Sequence, residues 1–328
     1  MSLPLLSIAA LGGTVSMQAA RPNGGVMPSL DGQTLLSQVP QLNASARVIV
    51  ETLCLQASAS LDFERLLDVL AWAREQVAQG ASGVLITQGT DTLEESAFFL
   101  DLLWPFDTPL VLTGAMRPSS QLGADGPANL LQAGLVALAA ESRKRGVQVV
   151  LNGQVHAAAR VRKIDALALE AFSSPLFGPA GLIIENNVRY LHPPAERRTL
   201  PLPQRLDQRV AMLEATLSAD TLLLEQLPGL GYEGLVIAGF GAGHVSEHWA
   251  NIAAGLARHI PVVVATRTGA GPTATKSYGF IGSEMDLLKR GVQMAGALCP
   301  RKTRILLWLL LGCQCMEELP DWLGHFDL

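Results

Sequence analysis

Gly83-Val-Leu-Ile-Thr-Gln-Gly-Thr-Asp-Thr-Leu-Glu-Glu95 is the stretch that decides the fold. Gly83–Thr87 is a short, uninterrupted apolar run, the pattern of a strand buried on both faces. A polar loop follows. Thr92-Leu-Glu-Glu95 then fits a capping box, in which the threonine oxygen accepts from the N3 amide and Glu95 reaches back. A helix is therefore expected from Thr92 to about Leu103, stopping before Pro105. Buried strand, tight loop and capped helix, in that order, make half of a parallel crossover unit.

The same alternation extends in both directions. Upstream, Leu5–Leu11 reads as a strand ending in a Gly-Gly turn, and Arg47–Leu55 as another. Leu61–Gln79 has helical apolar spacing (Leu66, Leu67, Leu70, Trp72, Val77) and ends at Gly80. Downstream, Leu110–Thr113 is a strand, Pro127–Ser142 a helix and Val147–Asn152 a strand. The βαβα order implies a parallel sheet with helices on both faces. Gln154–Arg162 and Leu182–Leu191 read as further strands, with Asn186-Asn187 as a turn signal. His192–Pro203, rich in proline and charge, is the best linker in the chain. Alternation then resumes with strand Val210–Thr216, helix Ala219–Gln226, strand Leu235–Phe240, helix Ser246–Arg258, strand Pro261–Thr266 and helices Met285–Arg290 and Lys302–Cys313. The expected division is a first domain over 1–191, a linker over 192–208 and a second domain over 209–328.

Composition bounds the function. The chain has 328 residues, 49% apolar and only 16% charged, so it supplies a sizeable core and is not disordered. A formal charge of −5 argues against a nucleic-acid protein. The low charge content is also consistent with apolar surface covered by other subunits. Cys54, Cys299, Cys313 and Cys315 do not make a disulfide framework. The first residues lack a basic n-region and a cleavage-site context, and the apolar run Ile305–Leu311 is far short of a membrane span. A soluble cytoplasmic protein is the default expectation.

Ligands of open parallel sheets bind beyond the carboxyl ends of the strands. Two such ends carry chemistry. Leu11-Gly12-Gly13-Thr14 follows the first strand, and its glycines permit tight turning and expose backbone N–H groups. Thr87-Gln88-Gly89-Thr90-Asp91-Thr92 lies before a helix N-terminus, whose partial positive charge favours anions. Together the loops offer hydroxyls and a carboxylate in one crevice. Each also has a plain structural reading: Gly-Gly-Thr is a common turn, Thr92 an N-cap, Asp91 a residue decorating a helix start. The Gly-Gly-Thr turn is not G-x-G-x-x-G, so dinucleotide binding is poorly supported. A threonine hydroxyl is a poor nucleophile without a base, and a lysine lowered by burial would serve. Lys163 follows the 154–162 strand, although beside Arg160 and Arg162 a solvated basic edge is the better reading from the residues alone. His244-Val-Ser-Glu247-His248 matches H-x-x-E-H, which works only on one continuous helix. Gly241-Ala-Gly243 precedes it and Ser246 is the natural N-cap, so His244 falls in the loop and no metal site is expected.

Leu11-Gly-Gly-Thr-Val15, Ile86-Thr-Gln-Gly-Thr-Asp-Thr-Leu-Glu-Glu95, Thr113-Gly-Ala-Met-Arg-Pro118 and Ala124-Asp-Gly-Pro-Ala-Asn129 together resemble the bacterial L-asparaginase/glutaminase family, in its cytoplasmic type. The similarity covers nearly the whole chain and is strongest over residues 5–130. It implies an α/β fold: a larger N-terminal parallel-sheet domain, flavodoxin/Rossmann-like, and a smaller C-terminal α/β domain. It implies hydrolysis of the side-chain amide of L-asparagine, sometimes of L-glutamine, with no metal or organic cofactor and no nucleic-acid or membrane partner. Thr14 matches the family's nucleophile, which would form an acyl-enzyme. Thr90, Asp91 and Lys163 match the second catalytic group, with the lysine as base. Asp91 also matches the residue that binds the substrate α-amino group, and Ser58 the one that holds the α-carboxylate. Ala115 matches a position whose backbone contacts the substrate amide, and Gly89 is grouped with the substrate-binding positions. The family is typically a homotetramer, a dimer of dimers, with each site completed by a neighbour's C-terminal domain.

This chain departs from the family pattern in three places. The loop Ser16–Leu30 has no tyrosine, although the family usually carries an activating one there; the only tyrosines are Tyr190, Tyr232 and Tyr278. Ala59 follows Ser58, where glutamine or glutamate is common. His244 stands at an asparagine position, and Arg267–Tyr278 is shortened and has no acidic residue. His244 and Tyr278 are therefore the candidate partner-subunit residues. Either Tyr278 or another group replaces the tyrosine, or the Lys163–Thr90 pair carries more of the chemistry; weak glutaminase activity fits either case. Two rivals remain: a non-catalytic amino-acid sensor on the same fold, and a transfer-RNA amidotransferase subunit. The acidic charge and a start directly at the first strand disfavour the second rival.

Overall fold

A computed structural model describes residues 3–19 and 25–327. The chain forms two compact units that divide between Thr199 and Leu200. The first is built on an eight-stranded sheet, ordered Asn187–Tyr190, Gly181–Ile184, Gln154–Ala157, Val147–Leu151, Leu110–Thr113, Gly83–Thr87, Leu5–Gly12, Arg47–Gln56. The five strands from Val147–Leu151 to Arg47–Gln56 run parallel. The other three are added antiparallel. Leu5–Gly12, Gly83–Thr87, Leu110–Thr113 and Val147–Leu151 are buried along their whole length. That burial on both faces explains why these strands are continuous rather than alternating apolar runs.

The two faces of Leu5–Gly12 show how the layers form. Leu6 and Ile8 pack into a core with Leu130, Ala133 and Val136 of the helix Gly126–Leu138. Ser7, between them, points the other way and hydrogen-bonds Gln76 of the helix Phe63–Ala78 at 2.9 Å. Val84, Leu85 and Ile86 are fully buried. Each contributes roughly 1.5–3 kcal/mol relative to an exposed side chain.

The second unit has a four-stranded parallel sheet, ordered Val210–Glu214, Gly234–Gly239, Val262–Thr266, Gln293–Met294. Its core joins Leu235, Ile237, Val262 and Val264 to Trp249, Ala250 and Ala253 of the helix Glu247–Leu256. Ser246 caps that helix by accepting from Trp249 N. His244 therefore precedes the helix, as its sequence context requires. Among the described residues no helix is long and apolar enough to cross a membrane.

Several elements differ from expectation for local reasons. The strand expected over 154–162 stops at Ala157, whose carbonyl accepts from both Arg160 and Val161 in a turn. Arg162–Lys163 is then a separate two-residue strand, paired with Phe172–Ser173. The strand expected over 182–191 is a hairpin that turns at Glu185 and Asn186, both at positive φ (49° and 62°). The helix expected to reach Ser142 breaks at Ala139, which is extended, and resumes as a short 3-10 turn. Leu222–Gln226 is a shorter helix than expected. The hairpin Met17–Ala19/Val26–Pro28 and the helices Gly32–Ser37, Pro40–Ser45 and Leu319–His325 were not anticipated by periodicity. Of the tyrosine-free loop 16–30, residues 20–24 lie outside the described residues.

Candidate active site

The carboxyl end of the first unit's sheet gathers four loops. Gly12-Gly13-Thr14 leaves the strand Leu5–Gly12, next to the sheet edge, and closes into a 3-10 turn, with Ser16 N donating to Gly13 O. Gly13 has φ +81°, and a Cβ there would sit 2.0 Å from Gly89 N. Only glycine lets the two loops touch backbone to backbone. Gly89 in turn faces Ser58, whose Oγ would be 2.6 Å from an added Cβ.

Ser58, in the 3-10 turn Ser58–Ser60 that follows the edge strand, is tied to the second loop twice. Its Oγ accepts from Asp91 N at 3.2 Å, and its carbonyl accepts from Thr92 Oγ1 at 3.0 Å. The capping box expected from Thr92-Leu-Glu-Glu95 is thus not formed, since Thr92 makes no side-chain cap bond. Its hydroxyl is spent across 34 residues of chain instead. Thr92→Val keeps the shape and removes that donor. It should lower stability by about 1 kcal/mol and raise KM for the substrate, read from thermal unfolding and steady-state kinetics; an unchanged KM would detach this contact from the site.

Lys163 reaches the same loop from its two-residue strand. Its Nζ donates to Thr90 Oγ1 at 3.0 Å and pairs with Asp91 Oδ1 at 2.7 Å. The lysine side chain is largely buried, at 17% exposure, while that of Asp91 is 68% exposed. The basic-edge reading is overturned: Lys163 faces Thr90 and Asp91. Its main chain is fixed independently, because buried Glu94 accepts the Lys163 N–H at 2.5 Å.

The fourth loop holds fully buried Ala115. Asp125 accepts from Met116 N at 2.9 Å and Arg117 N at 2.8 Å, and Asn129 donates to Gly114 O at 3.0 Å. Asn129 also accepts from Asn152 N, so this loop is anchored to the end of its neighbouring strand. Gly114 lies against the Gln88 carbonyl. Asp125→Ala would leave two loop amides without their carboxylate, a loss of about 1.5–3 kcal/mol. Turnover should fall with it, as a kinetic assay beside a melting curve would show.

The structure therefore brings Thr14's loop, Ser58, Gly89, Thr90, Asp91, Ala115 and Lys163 to the carboxyl end of one sheet. Among the described residues nothing hydrogen-bonds the half-buried Thr14 hydroxyl. A carboxylate for an amine, hydroxyls for a carboxylate and an amine beside a hydroxyl are the groups that bind a zwitterion and move a proton. His244 and Tyr278 belong to the second unit, where their rings meet edge to face at 4.8 Å. Sequence reasoning missed Glu94, Asp125 and Asn129. All three stand inside the quoted blocks, so the motifs contained them, but their partners are set by tertiary structure.

Comparison with known proteins agrees with this geometry. Residues 5–196 match the family model "Asparaginase, N-terminal" and residues 209–318 match "Glutaminase/Asparaginase C-terminal domain". The chain is 35% identical to a probable periplasmic L-asparaginase of Haemophilus influenzae, over 94% of this chain and 89% of that one. It is 33% identical to L-asparaginase 2 of Escherichia coli, over 95% and 90%. A crystal structure of a probable cytoplasmic L-asparaginase from Campylobacter jejuni superposes with a TM-score of 0.86 at 31% identity, covering 98% of this chain and 99% of that one. With both family domains present in order and the four loops assembled at one sheet end, the chain belongs to the asparaginase/glutaminase family.

Proposed function

We propose that this protein is an L-asparaginase, which hydrolyses the side-chain amide of L-asparagine to L-aspartate and ammonia. The observation that carries the reading is the Lys163–Thr90–Asp91 contact set beside the Gly13–Thr14 turn. Asp91, whose side chain is mostly exposed, receives the substrate α-amino group. Ser58 Oγ already accepts from Asp91 N, so its own proton remains to be donated to the α-carboxylate. Thr14 attacks the amide carbon and forms an acyl-enzyme. Thr90, 3.0 Å from Lys163 Nζ, gives its hydroxyl proton to the lone pair of the lysine amine as its oxygen takes the proton of a hydroxyl or water. The Ala115 loop, held by Asp125 and Asn129, offers its backbone to the amide. Glutamine is turned over weakly.

Further points follow from the same reading. The protein assembles as a homotetramer, with His244 and Tyr278 of one copy completing the site of another; light scattering would measure that mass. It acts in the cytoplasm, like the protein named for the similar Campylobacter structure, which cell fractionation would check. The deciding experiment is ammonia release from L-asparagine, D-asparagine, L-glutamine and small amides. Release from L-asparagine is expected. Aspartate binding seen as a melting shift, with no ammonia from any substrate, would overturn hydrolysis in favour of a sensor; no observation favours that reading.

A further inference from the structure

Lys163 stands on a thinly supported piece of chain. Its strand, Arg162–Lys163, is two residues long and pairs only with Phe172–Ser173. The ladder bond beside it runs from Ile164 N to Ala171 O at 2.7 Å. Hydrogen-bonded and non-bonded pairs alternate along antiparallel strands, so the N–H of Lys163 points away from the partner strand. Ile164 and Leu167, just beyond, are exposed and pack little. The outward N–H is taken by a side chain instead of a third strand: buried Glu94 accepts it through Oε2 at 2.5 Å. Glu94 is the second residue of the helix Leu93–Leu102, directly after the 3-10 turn Thr90–Thr92. Residues 90–94 therefore hold Lys163 at both ends. Glu94 takes its backbone N–H, while Thr90 Oγ1 and Asp91 Oδ1 meet its Nζ at 3.0 and 2.7 Å.

We infer that Glu94 is a positioning residue: it ties the main chain of Lys163 to the helix start that carries Thr90 and Asp91, and so sets where the lysine amine stands against the Thr90 hydroxyl. The inference rests on the hydrolysis reading, in which that amine receives the Thr90 proton. Lysine carries its amine on a flexible four-carbon stem, so a nearby Cα alone does not place it. With both ends tied to one short, continuous stretch of chain, few staggered arrangements of the stem remain. Without Glu94, the amine would be held only by a hydroxyl and by a largely exposed carboxylate for which water competes. Proton transfer requires the heavy atoms within about 2.6–3.2 Å, and the 3.0 Å contact to Thr90 lies inside that window. A retreat of the strand by about 1 Å would carry the amine out of it. Glu94 acts on the reaction only through Lys163.

Two substitutions separate the acceptor from the space it fills. Glu94→Leu fills the space and removes the acceptor, whereas Glu94→Gln keeps an oxygen for the Lys163 N–H. In ammonia release from L-asparagine, kcat should fall at least about tenfold in Glu94→Leu, with a smaller change in KM. In Glu94→Gln it should return to within about threefold of the wild type. In a Lys163→Met background the amine is already gone, so Glu94→Leu should cost no more than about twofold further in kcat. A second readout needs no turnover. Reductive methylation of the full chain with formaldehyde and a borohydride, read by peptide mass spectrometry, should modify Lys163 at least about fivefold faster in Glu94→Leu than in the wild type. Should Glu94→Leu fail to fold, Glu94→Asp takes its place, since it withdraws the oxygen by one methylene and must lower kcat and speed methylation in the same way. Unchanged kcat or unchanged methylation would overturn the inference. So would a loss that is equally large in the Lys163→Met background, which would make Glu94 a support of the loop at large. A wild type that releases no ammonia would overturn the catalytic role along with the reading it rests on, and is told apart because the difference in methylation still appears.

Discussion

Lys163→Met will leave ammonia release from L-asparagine at least about 10³-fold below the wild type, in a chain that stays folded. Methionine keeps an unbranched stem of similar length in a position that is only 17% exposed. It removes the one atom that joins Thr90 Oγ1 to Asp91 Oδ1. The strand carrying residue 163 does not depend on that atom. Glu94 holds its backbone N–H, and Phe172 pairs with it across the two-stranded sheet. Asp91, 68% exposed, regains water when its partner goes, so the lost ion pair costs little stability, about 1 kcal/mol or less. Activity and folding therefore separate in this variant. A melting temperature near the wild type with turnover gone is the expected pair of results. If folding is lost instead, the lysine is a structural support and not a proton carrier.

Gly13→Ala will cost both stability and turnover. Two penalties combine: about 1–3 kcal/mol for a Cβ at φ +81°, ψ −175°, a region essentially reserved to glycine, and about 1–3 kcal/mol or more for overpacking. The added Cβ would meet Gly89 N at 2.0 Å and Gly89 Cα at 2.2 Å. These are backbone atoms in a loop that Ser58 and Thr113 also hold, so no side chain can swing away. Relief requires the Thr14 loop to move off the Thr90–Asp91 loop, and a displacement of about 1 Å at reacting groups can cost about 10²-fold in rate. Gly80→Ala is the matched control. It has φ +91° but open space around the added Cβ, so it pays only for the positive φ and should keep full turnover. Equal behaviour of the two variants in thermal unfolding and in the ammonia assay would show that the backbone contact between the loops is not needed.

The parallel sheet was legible because its strands are buried on both faces and so appear as unbroken apolar runs, as at Gly83–Thr87. The glycine at position 13 and the polar loop after Thr87 were equally visible, since they sit at strand ends. Lys163 was harder. It stands beyond a turn at Ala157–Arg160, and its orientation is set by Thr90, 73 residues away in sequence, and by Glu94, 69 away. Nothing local distinguishes it from Arg160 and Arg162. Thr92 shows the opposite error: a good local cap sequence was overridden by a better long-range partner, the Ser58 carbonyl. The helices Gly32–Ser37 and Pro40–Ser45 are six residues each, too short to display a period. Glu284 is not legible in the sequence, because 267–278 holds no acidic residue and the carboxylate that faces His244 lies 40 residues beyond that histidine.

The most direct test of the account is steady-state ammonia release from L-asparagine by the wild type, Thr14→Val and Lys163→Met, side by side. Valine matches threonine in shape and removes only the hydroxyl, as methionine removes only the amine. The account predicts turnover by the wild type and near-abolition in both variants. Unimpaired turnover in both would contradict it, because neither of the groups placed at the carboxyl end of the sheet would then be needed for the chemistry.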